Sequence, residues 1–241
     1  METEGLKMKS HKKGIDSRKF LIFWLRFVQY GSKTTWHYME KNDFDVKSIK
    51  KFKELEQSLA AFRKVLRFGR FIDSLHTALR TINHSDKTIK YSVTFSKIAH
   101  SLYLFCDHCL WLNRNKFLQI NASRWSQASN RYWLLSIVMN LVRDVVELNN
   151  LFRAILEKKI LNTLNRKVAP KDIFTGEAVQ FVRSHKDLLI DTIKNSCDIM
   201  LPLSNLGFIR LSPGTIGVVG MISSVLSLYT LVDQKAKLPY T

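Results

Sequence analysis

Residues 211–232 read LSPGTIGVVGMISSVLSLYTLV, an uncharged run of 22 residues that stands between Arg210 and Asp233. An α-helix of this length rises about 33 Å, which is enough to cross a hydrocarbon core of about 30 Å. Ser212 supplies a helix cap and Pro213 a first-turn proline. The run therefore predicts a C-terminal transmembrane helix, and we expect the chain to be membrane-bound.

Small residues recur along this run and bear on how the helix packs. Gly217, Gly220 and Ser224 are the candidates for close packing, because the spacing from Gly220 to Ser224 lets two helices approach each other in lipid. Small residues are equally tolerated in a span that packs against nothing. From the sequence alone, both interpretations stay open.

The composition predicts long helices with few turns. Of the 241 residues 46 % are apolar, and only nine glycines and four prolines interrupt the chain. No stretch of useful length alternates apolar and polar residues as a strand does, and no internal repeat is found. We therefore predict an all-α protein: a membrane-associated bundle of long helices with an amphipathic helix and a C-terminal transmembrane helix.

Turn and capping signals divide the chain into segments. Asn42 and Asp43 end a first helix, Pro170 and Gly176 mark the clearest linker, and a later helix is expected to stop near Pro202. The predicted organisation is a basic disordered N-terminus (1–15), a helical region (16–166) with an amphipathic helix (46–70), a linker (167–176), a helix and turn (177–210), the transmembrane helix (211–232) and a short tail (233–241).

A candidate first membrane segment lies at about residues 95–113. It is largely apolar, but it contains His100, Asp107 and His108, which are costly in hydrocarbon unless they are buried against protein. The segment therefore either crosses the membrane or packs on the bundle at the interface.

The charge of the chain predicts an anionic partner. There are 38 basic against 20 acidic residues, a net charge of +18, which suits lipid headgroups, nucleic acid or an acidic protein. No nucleic-acid recognition motif accompanies the charge, so we expect anionic lipids and not nucleic acid. The three cysteines give no even disulfide framework, which favours a reducing, cytosol-facing environment.

The segment before Gly69 has the pattern of a helix that lies in a membrane interface. Its apolar residues recur at steps of three and four and occupy an arc of roughly 80°. The residues predicted to insert into the membrane are Phe52, Leu55, Leu59, Phe62 and Leu66, and the predicted anionic-lipid contacts on the opposite side are Lys50, Lys53, Lys64 and Arg67. The alternative is that this row, like the one after Gly69, is a core stripe of a soluble bundle.

The apolar phase changes at Gly69. The next large apolar residues are Phe71, Ile72, Leu75, Leu79 and Ile82, and on one straight helix they fall on the side that was basic before Gly69. A single rigid helix cannot bury both rows on one side. We therefore predict a break or hinge at Gly69, with the first half contacting lipid and the second half packing its apolar row on protein.

The residue clusters that resemble chemical sites favour structural roles. Cys106 and Cys109 have CxxC spacing, but four zinc ligands are not at hand, so we predict packed thiols beside a polar stripe of Asp107 and His108. The charges of Arg143, Asp144 and Glu147 are expected to pair with basic residues of neighbouring helices. Since no nucleophile motif, phosphate-binding loop or HExxH is present, we predict no catalytic, cofactor-binding or metal-binding residue, no cofactor and no enzymatic activity.

Several stretches resemble the peroxisomal membrane protein 11 family (peroxin 11), the animal alpha/beta branch more than the gamma branch. They are residues 62–75 (FRKVLRFGRFIDSL), 105–111, 130–148, and the C-terminal 191–203, 206–208 (LGF) and 212–224 (SPGTIGVVGMISS). The C-terminal half is the most specific match.

The resemblance implies an integral protein of the peroxisomal membrane with both termini in the cytosol. It implies peroxisome elongation, proliferation and fission by amphipathic-helix insertion and self-association. The implied partners are anionic lipids, further copies of the chain and related family members, a tail-anchored fission adaptor and a dynamin-related GTPase. The alternative is a membrane pore or metabolite channel lined by polar residues such as Asp107 and Asp144.

Overall fold

The computed structural model describes residues 17–165 and 185–233, and within them all regular secondary structure is helical, which confirms the all-α prediction. The elements are α1 (Ser17–Lys41), α2 (Val46–Leu66), α3 (Arg70–Thr81), a π-helical turn (Ile89–Val93), α4 (Thr94–Arg114), α5 (Ala122–Asn165), α6 (Lys186–Asn205) and α7 (Pro213–Val232). The predicted N-terminal segment (1–15), the linker (167–176), the start of the helix expected from 177 and nearly all of the tail lie outside the described residues.

Local chemistry fixes several helix ends. The carboxylate of Asp45 accepts a hydrogen bond from the Ser48 amide at 3.3 Å and begins α2, and Ser212 Oγ accepts one from the Thr215 amide at 3.1 Å to begin α7. Pro213 follows in the first turn of α7, where its missing N–H costs no intrahelical bond.

Helix α6 does not stop near Pro202, so that expectation is wrong. The helix continues through Pro202 to Asn205, and the Pro202 carbonyl accepts a hydrogen bond from the Leu206 amide at 2.9 Å. A proline so close to the end of a helix removes little of the hydrogen-bond ladder. The end is set instead at Gly207, whose φ of +81° is a left-handed conformation suited to glycine.

Helices α1 and α7 run antiparallel in close contact. Gly214 lies against His37, Gly217 against Thr34 and Gly220 against Tyr30, so the pairing moves backward along α1 as α7 proceeds. The other contacts complete a circuit, because α1 packs on α2, α2 on α4, α4 on α5, α5 on α6 and α6 on α7, while α3 lies on α4.

The interior of this bundle is polar and its exterior is apolar. Among the described residues twenty polar or charged residues are buried against ten hydrophobic ones, and thirty-five large hydrophobic side chains are exposed. A bundle stabilised in water has the opposite distribution. In lipid, by contrast, helices associate through small and polar residues and turn large apolar side chains outward. The distribution is therefore that of a membrane protein.

Candidate membrane interface

Helix α2 lies on the outside of the bundle, and none of its residues is buried. Of the five residues predicted to insert, Leu55 is 42 % and Phe62 50 % exposed, whereas Phe52, Leu59 and Leu66 are half-buried. The row therefore lies along the border between the packed side of α2 and its free side. This position differs from that of a core stripe, so the alternative of a buried row in a soluble bundle is wrong for α2.

Two of the four predicted lipid-contact cations, Lys50 and Lys53, sit in different surroundings. Lys50 turns outward, with Nζ 4.0 Å from the Glu54 carboxylate one helical turn away. Lys53 donates to Glu40 of α1 at 2.8 Å and lies over the ring of Trp36, 4.5 Å from its centroid. Lys53 therefore binds protein in this arrangement.

The other two cations, Lys64 and Arg67, pair with one carboxylate of α4. Lys64 Nζ lies 2.9 Å and Arg67 Nη2 2.6 Å from the Asp107 carboxylate, which is buried. Arg67 also donates to Tyr103 at 2.7 Å. Three of the four predicted lipid contacts thus tie α2 to its neighbours, so headgroup contact by them would require α2 to leave this position.

The docked position of α2 places like charges side by side. Arg63 donates to Gln29 of α1, but its Nε is buried without a hydrogen-bond partner among the described residues. Burial, followed by the neighbouring charge of Arg67, lowers the pKa of Arg63 to about 10. These costs offset part of the docking energy supplied by Asp107.

The chain breaks at Gly69, between α2 and α3. Gly69 has φ +80°, a left-handed conformation, and a Cβ at this position would meet nothing within 4 Å. Only backbone conformation therefore demands glycine here. Asp43, at the other end of α2, is also left-handed with φ +52°. Helix α2 is thus flanked by two sharp changes of chain direction, and a swivel at Gly69 stays a prediction.

Helix α3 packs in the opposite sense to the prediction for all but one residue of its apolar row. Its buried residues are the small Ser74, Ala78 and Thr81, and Ser74 Oγ donates to the Lys97 carbonyl of α4 at 2.9 Å. Of the large apolar residues that were expected to pack on protein, Phe71 does so, with its ring against Phe105 and His108 of α4. The other four point outward: Ile72, Leu75, Leu79 and Ile82. Small residues allow α3 and α4 to approach closely, which leaves the large side chains for the outer surface.

Helix α7 shows the same arrangement. Gly217, Gly220 and Ser224 are all buried, and a Cβ on Gly217 would lie 2.9 Å from the Tyr30 carbonyl oxygen. Ser224 Oγ donates within its own helix to the Gly220 carbonyl at 2.6 Å. The exposed side carries the large residues Val218, Ile222, Val225, Tyr229 and Val232.

By length and composition, α7 is the one helix among the described residues that could cross a membrane. The candidate first segment at about 95–113, which is α4, does not meet that criterion. Its His108 and Asp107 are buried and turn toward α2, as the predicted polar stripe requires, and His108 Nε2 lies 3.1 Å from the Arg67 carbonyl oxygen. Cys106 is buried and Cys109 half-buried, both as free thiols.

Two further charged groups join helices that are distant in sequence. Arg26 of α1 pairs with Asp198 of α6, and Asp198 also accepts a hydrogen bond from Ser223 of α7 at 2.6 Å. The sequence interpretation missed this group. Arg26 interrupts an apolar stretch of α1 and Asp198 is one of several charges in α6, and neither signal identifies the other residue as its partner.

The second group connects α5 with α6. Arg143 Nη2 donates to Asp144 at 2.6 Å and also to Asp191, while Asn195 donates to Asp144 at 2.9 Å. Burial raises the pKa of Asp191, but Lys194 and Arg143 more than offset this and leave it below its usual value. The basic partner of Asp144 and Glu147 is Arg143 of their own helix, so the prediction of basic residues on neighbouring helices is wrong for these two carboxylates. The ion pair that crosses from α5 to α6 is that of Arg143 with Asp191.

The side-chain contacts also bear on metal binding and on the alternative of a membrane channel. Among the described residues no group of three or more His, Cys, Asp or Glu side chains could hold a metal ion. A cavity of about 450 Å³ lies within the bundle, but neither Asp107 nor Asp144 lines it. Both carboxylates are engaged in the ion pairs described above, which favours a structural role over the lining of a channel.

A family model described as "Peroxisomal biogenesis factor 11 (PEX11)" matches residues 24–232 of the chain. The chain belongs to this family. The human Peroxisomal membrane protein 11B is 29 % identical over 238 residues, which cover 86 % of this chain and 90 % of that protein. The bovine Peroxisomal membrane protein 11A is 26 % identical over 226 residues, covering 88 % and 92 %.

A more distant relative is the Candida boidinii Peroxisomal membrane protein PMP30B, 23 % identical over 225 residues that cover 85 % of this chain and 86 % of that protein. No solved structure matches. The relatives confirm the resemblance to the alpha/beta branch. Peroxisomal biogenesis factor 11 proteins are peroxisomal membrane biogenesis factors and are not known enzymes. Membership supports a role in peroxisome biogenesis and proliferation, and a location in the peroxisomal membrane.

Proposed function

We propose that the protein bends the peroxisomal membrane by inserting α2 into one leaflet, and so promotes peroxisome elongation, proliferation and fission. The observation that carries the proposal is the surface position of α2: none of its residues is buried, and Leu55 and Phe62 are about half exposed. Apolar side chains of such a helix sink into the acyl boundary, while lysine and arginine bind anionic headgroups.

The geometry of the bundle indicates that α2 works in a released position. Lys53 contacts Glu40 and Arg63 contacts Gln29, so α2 runs back along α1. Because α1 runs along α7, a membrane-crossing α7 would hold docked α2 across the bilayer and not in its plane. Insertion in the plane therefore requires α2 to leave the bundle, turning at Asp43 and Gly69.

Release exchanges protein carboxylates for lipid phosphates. Lys53, Lys64 and Arg67, which pair with Glu40 and Asp107 in the docked position, would then be the lipid contacts of the inserted state. The exposed pair of Lys53 with Glu40 contributes only about 0.2–1 kcal/mol. The pairs of Lys64 and Arg67 with buried Asp107 hold α2 more firmly, so release requires headgroup phosphates to replace that carboxylate. The paired burial of Arg63 and Arg67 is relieved at the same time.

The packing of α1 on α7 supports the placement of both ends of the described chain on the same side of the membrane. Since the two helices are antiparallel, Ser17 and Val232 lie at the same end of the bundle. This supports the expectation, taken from the family resemblance, that both termini face the cytosol. Self-association, the tail-anchored fission adaptor and the dynamin-related GTPase enter the proposal from the same resemblance.

The released position is tested with Asp107→Asn in the full chain. Removing this carboxylate weakens the hold on Lys64 and Arg67, so we expect the ratio of inserted to docked α2 to rise about tenfold, measured on vesicles whose low anionic-lipid content leaves most wild-type α2 docked. Tubulation of the vesicles should increase with it. The matched control is Glu157→Gln, an exposed carboxylate of α5. Reduced tubulation in folded Asp107→Asn would show that α2 acts in its docked position.

A further inference from the structure

The cavity of about 450 Å³ opens between α1 and α3, and α4, α6 and α7 complete its walls. Among the residues that the structure describes, α3 contacts α4 and the π-helical turn but neither α1 nor α7, so a gap remains between α3 and α1. We call this cavity the α1–α3 slot. No residue of α2 lines it, and it is therefore separate from the membrane-inserting surface.

The lining of the slot carries more positive than negative charge. The cations are Lys19, Arg26, Arg70, Lys97 and Lys194, and the carboxylates are Asp73, Asp191 and Asp198. Within the lining Arg26 is paired with Asp198 and Lys194 with Asp191, and Asp191 is also paired with Arg143, a cation that does not line the slot. Part of the negative charge is thus neutralised from outside, and the slot keeps an excess of cations that favours an anionic ligand.

Arg26 is the buried cation of this lining, with 8 % of its surface exposed. Its Nη2 binds Asp198, but its Nε is buried and has no hydrogen-bond partner within the described part of the chain. A buried donor without an acceptor costs about 1–3 kcal/mol. An anion in the slot would supply the missing acceptor.

We propose that the α1–α3 slot binds a phosphate group, carried either by a lipid headgroup or by a small soluble compound. Phosphate offers several strong acceptor oxygens and more than one negative charge, which suits guanidinium and ammonium donors on several helices. Exposed apolar side chains on the same two helices, Phe20 and Trp24 on α1 and Ile72 on α3, could accompany the acyl chains of a lipid. This binding goes beyond membrane bending.

The test measures thermal unfolding of the full chain in neutral detergent, where a ligand of the folded state raises the Tm in a saturable way. One arm titrates inorganic phosphate against potassium chloride of equal ionic strength. The other titrates dihexanoyl phosphatidic acid against dihexanoyl phosphatidylcholine. Both use wild type, Lys97→Gln, and the control Lys87→Gln, which removes an exposed lysine outside the slot.

We expect Lys97→Gln to raise the half-saturating concentration about tenfold, because one charge-assisted hydrogen bond is lost, and Lys87→Gln to leave it unchanged. Arg26→Lys, which keeps the charge but lacks Nε, should also weaken binding. If Lys97→Gln does not fold, Arg70→Gln replaces it. A response to inorganic phosphate assigns the soluble source, and a response to phosphatidic acid alone assigns the lipid source. No saturable response, or equal responses in the two lysine variants, overturns the proposal.

Discussion

Replacing the two most exposed members of the predicted inserting row, as Leu55→Glu with Phe62→Glu, tests the membrane-bending proposal most directly. Each side chain is about half exposed when α2 is docked, so insertion buries roughly the half that was exposed. Full burial of such a side chain is worth about 1.5–3 kcal/mol, which leaves about 1 kcal/mol for each. Each new carboxylate also loses about 1 kcal/mol near an anionic surface.

The sum is about 4 kcal/mol, or a thousandfold change in the equilibrium between docked and inserted α2. A wild-type protein with about 99 % of α2 inserted would therefore fall to about 10 % in the variant. Trp36 reports the change, because it donates to the Glu56 carboxylate at 2.6 Å only while α2 is docked on α1.

The assay uses a chain in which Trp36 is the single tryptophan, reconstituted in vesicles with anionic lipid. Fluorescence gives the inserted fraction and electron microscopy gives the number of tubules. The matched control is Phe117→Glu with Leu118→Glu, two exposed residues of the loop between α4 and α5. Unchanged tubulation in the α2 variant, with α7 still inserted, would refute the reasoning.

Three further predictions concern the packing of the bundle. Gly220→Leu should destabilise the protein by about 1–3 kcal/mol and lower the Tm in detergent, because a side chain there meets the ring of Tyr30; an unchanged Tm would contradict the close contact. Gly69→Val should lower the unfolding free energy by about 1–2 kcal/mol in a denaturant titration, and Gly69→Asn by less, since only the left-handed backbone is at issue; equal losses would point to packing instead. Asp198→Asn should lower the unfolding free energy by about 3 kcal/mol in the same titration, because Arg26 stays buried without a counter-charge, and a loss under 1 kcal/mol would show that water reaches it.

Much of the helix layout follows from local sequence signals. The uncharged run after Arg210, with its Ser212 cap, predicts α7 closely, since length and capping act within one segment. The break at Gly69 follows from the change of apolar phase. The helix through Pro202 was missed because a proline near a helix end disturbs few hydrogen bonds, so its effect depends on where the helix ends.

What covers each apolar helix face was harder to predict than where the face lies. Periodicity locates the apolar row of α3 but does not say whether protein or lipid covers it, and Leu79 proved to be exposed while Ala78 is buried. Pairs such as Arg26 with Asp198 leave no local signal, because 172 residues separate them. The same applies to Arg67 and Asp107, which the sequence assigned to lipid and to a polar stripe without joining them.

The contact between α1 and α7 joins the two ends of the described chain and so imposes an order on biosynthesis. Tyr30 leaves the ribosome early, but the glycine that receives its ring, Gly220, is made nearly 200 residues later. Asp198, the counter-charge of Arg26, is likewise synthesised 172 residues after it. Until α6 and α7 have been synthesised, α1 has α2 beside it but neither α7 nor its counter-charge. The bundle can therefore enter the bilayer in finished form only after α7 has been made.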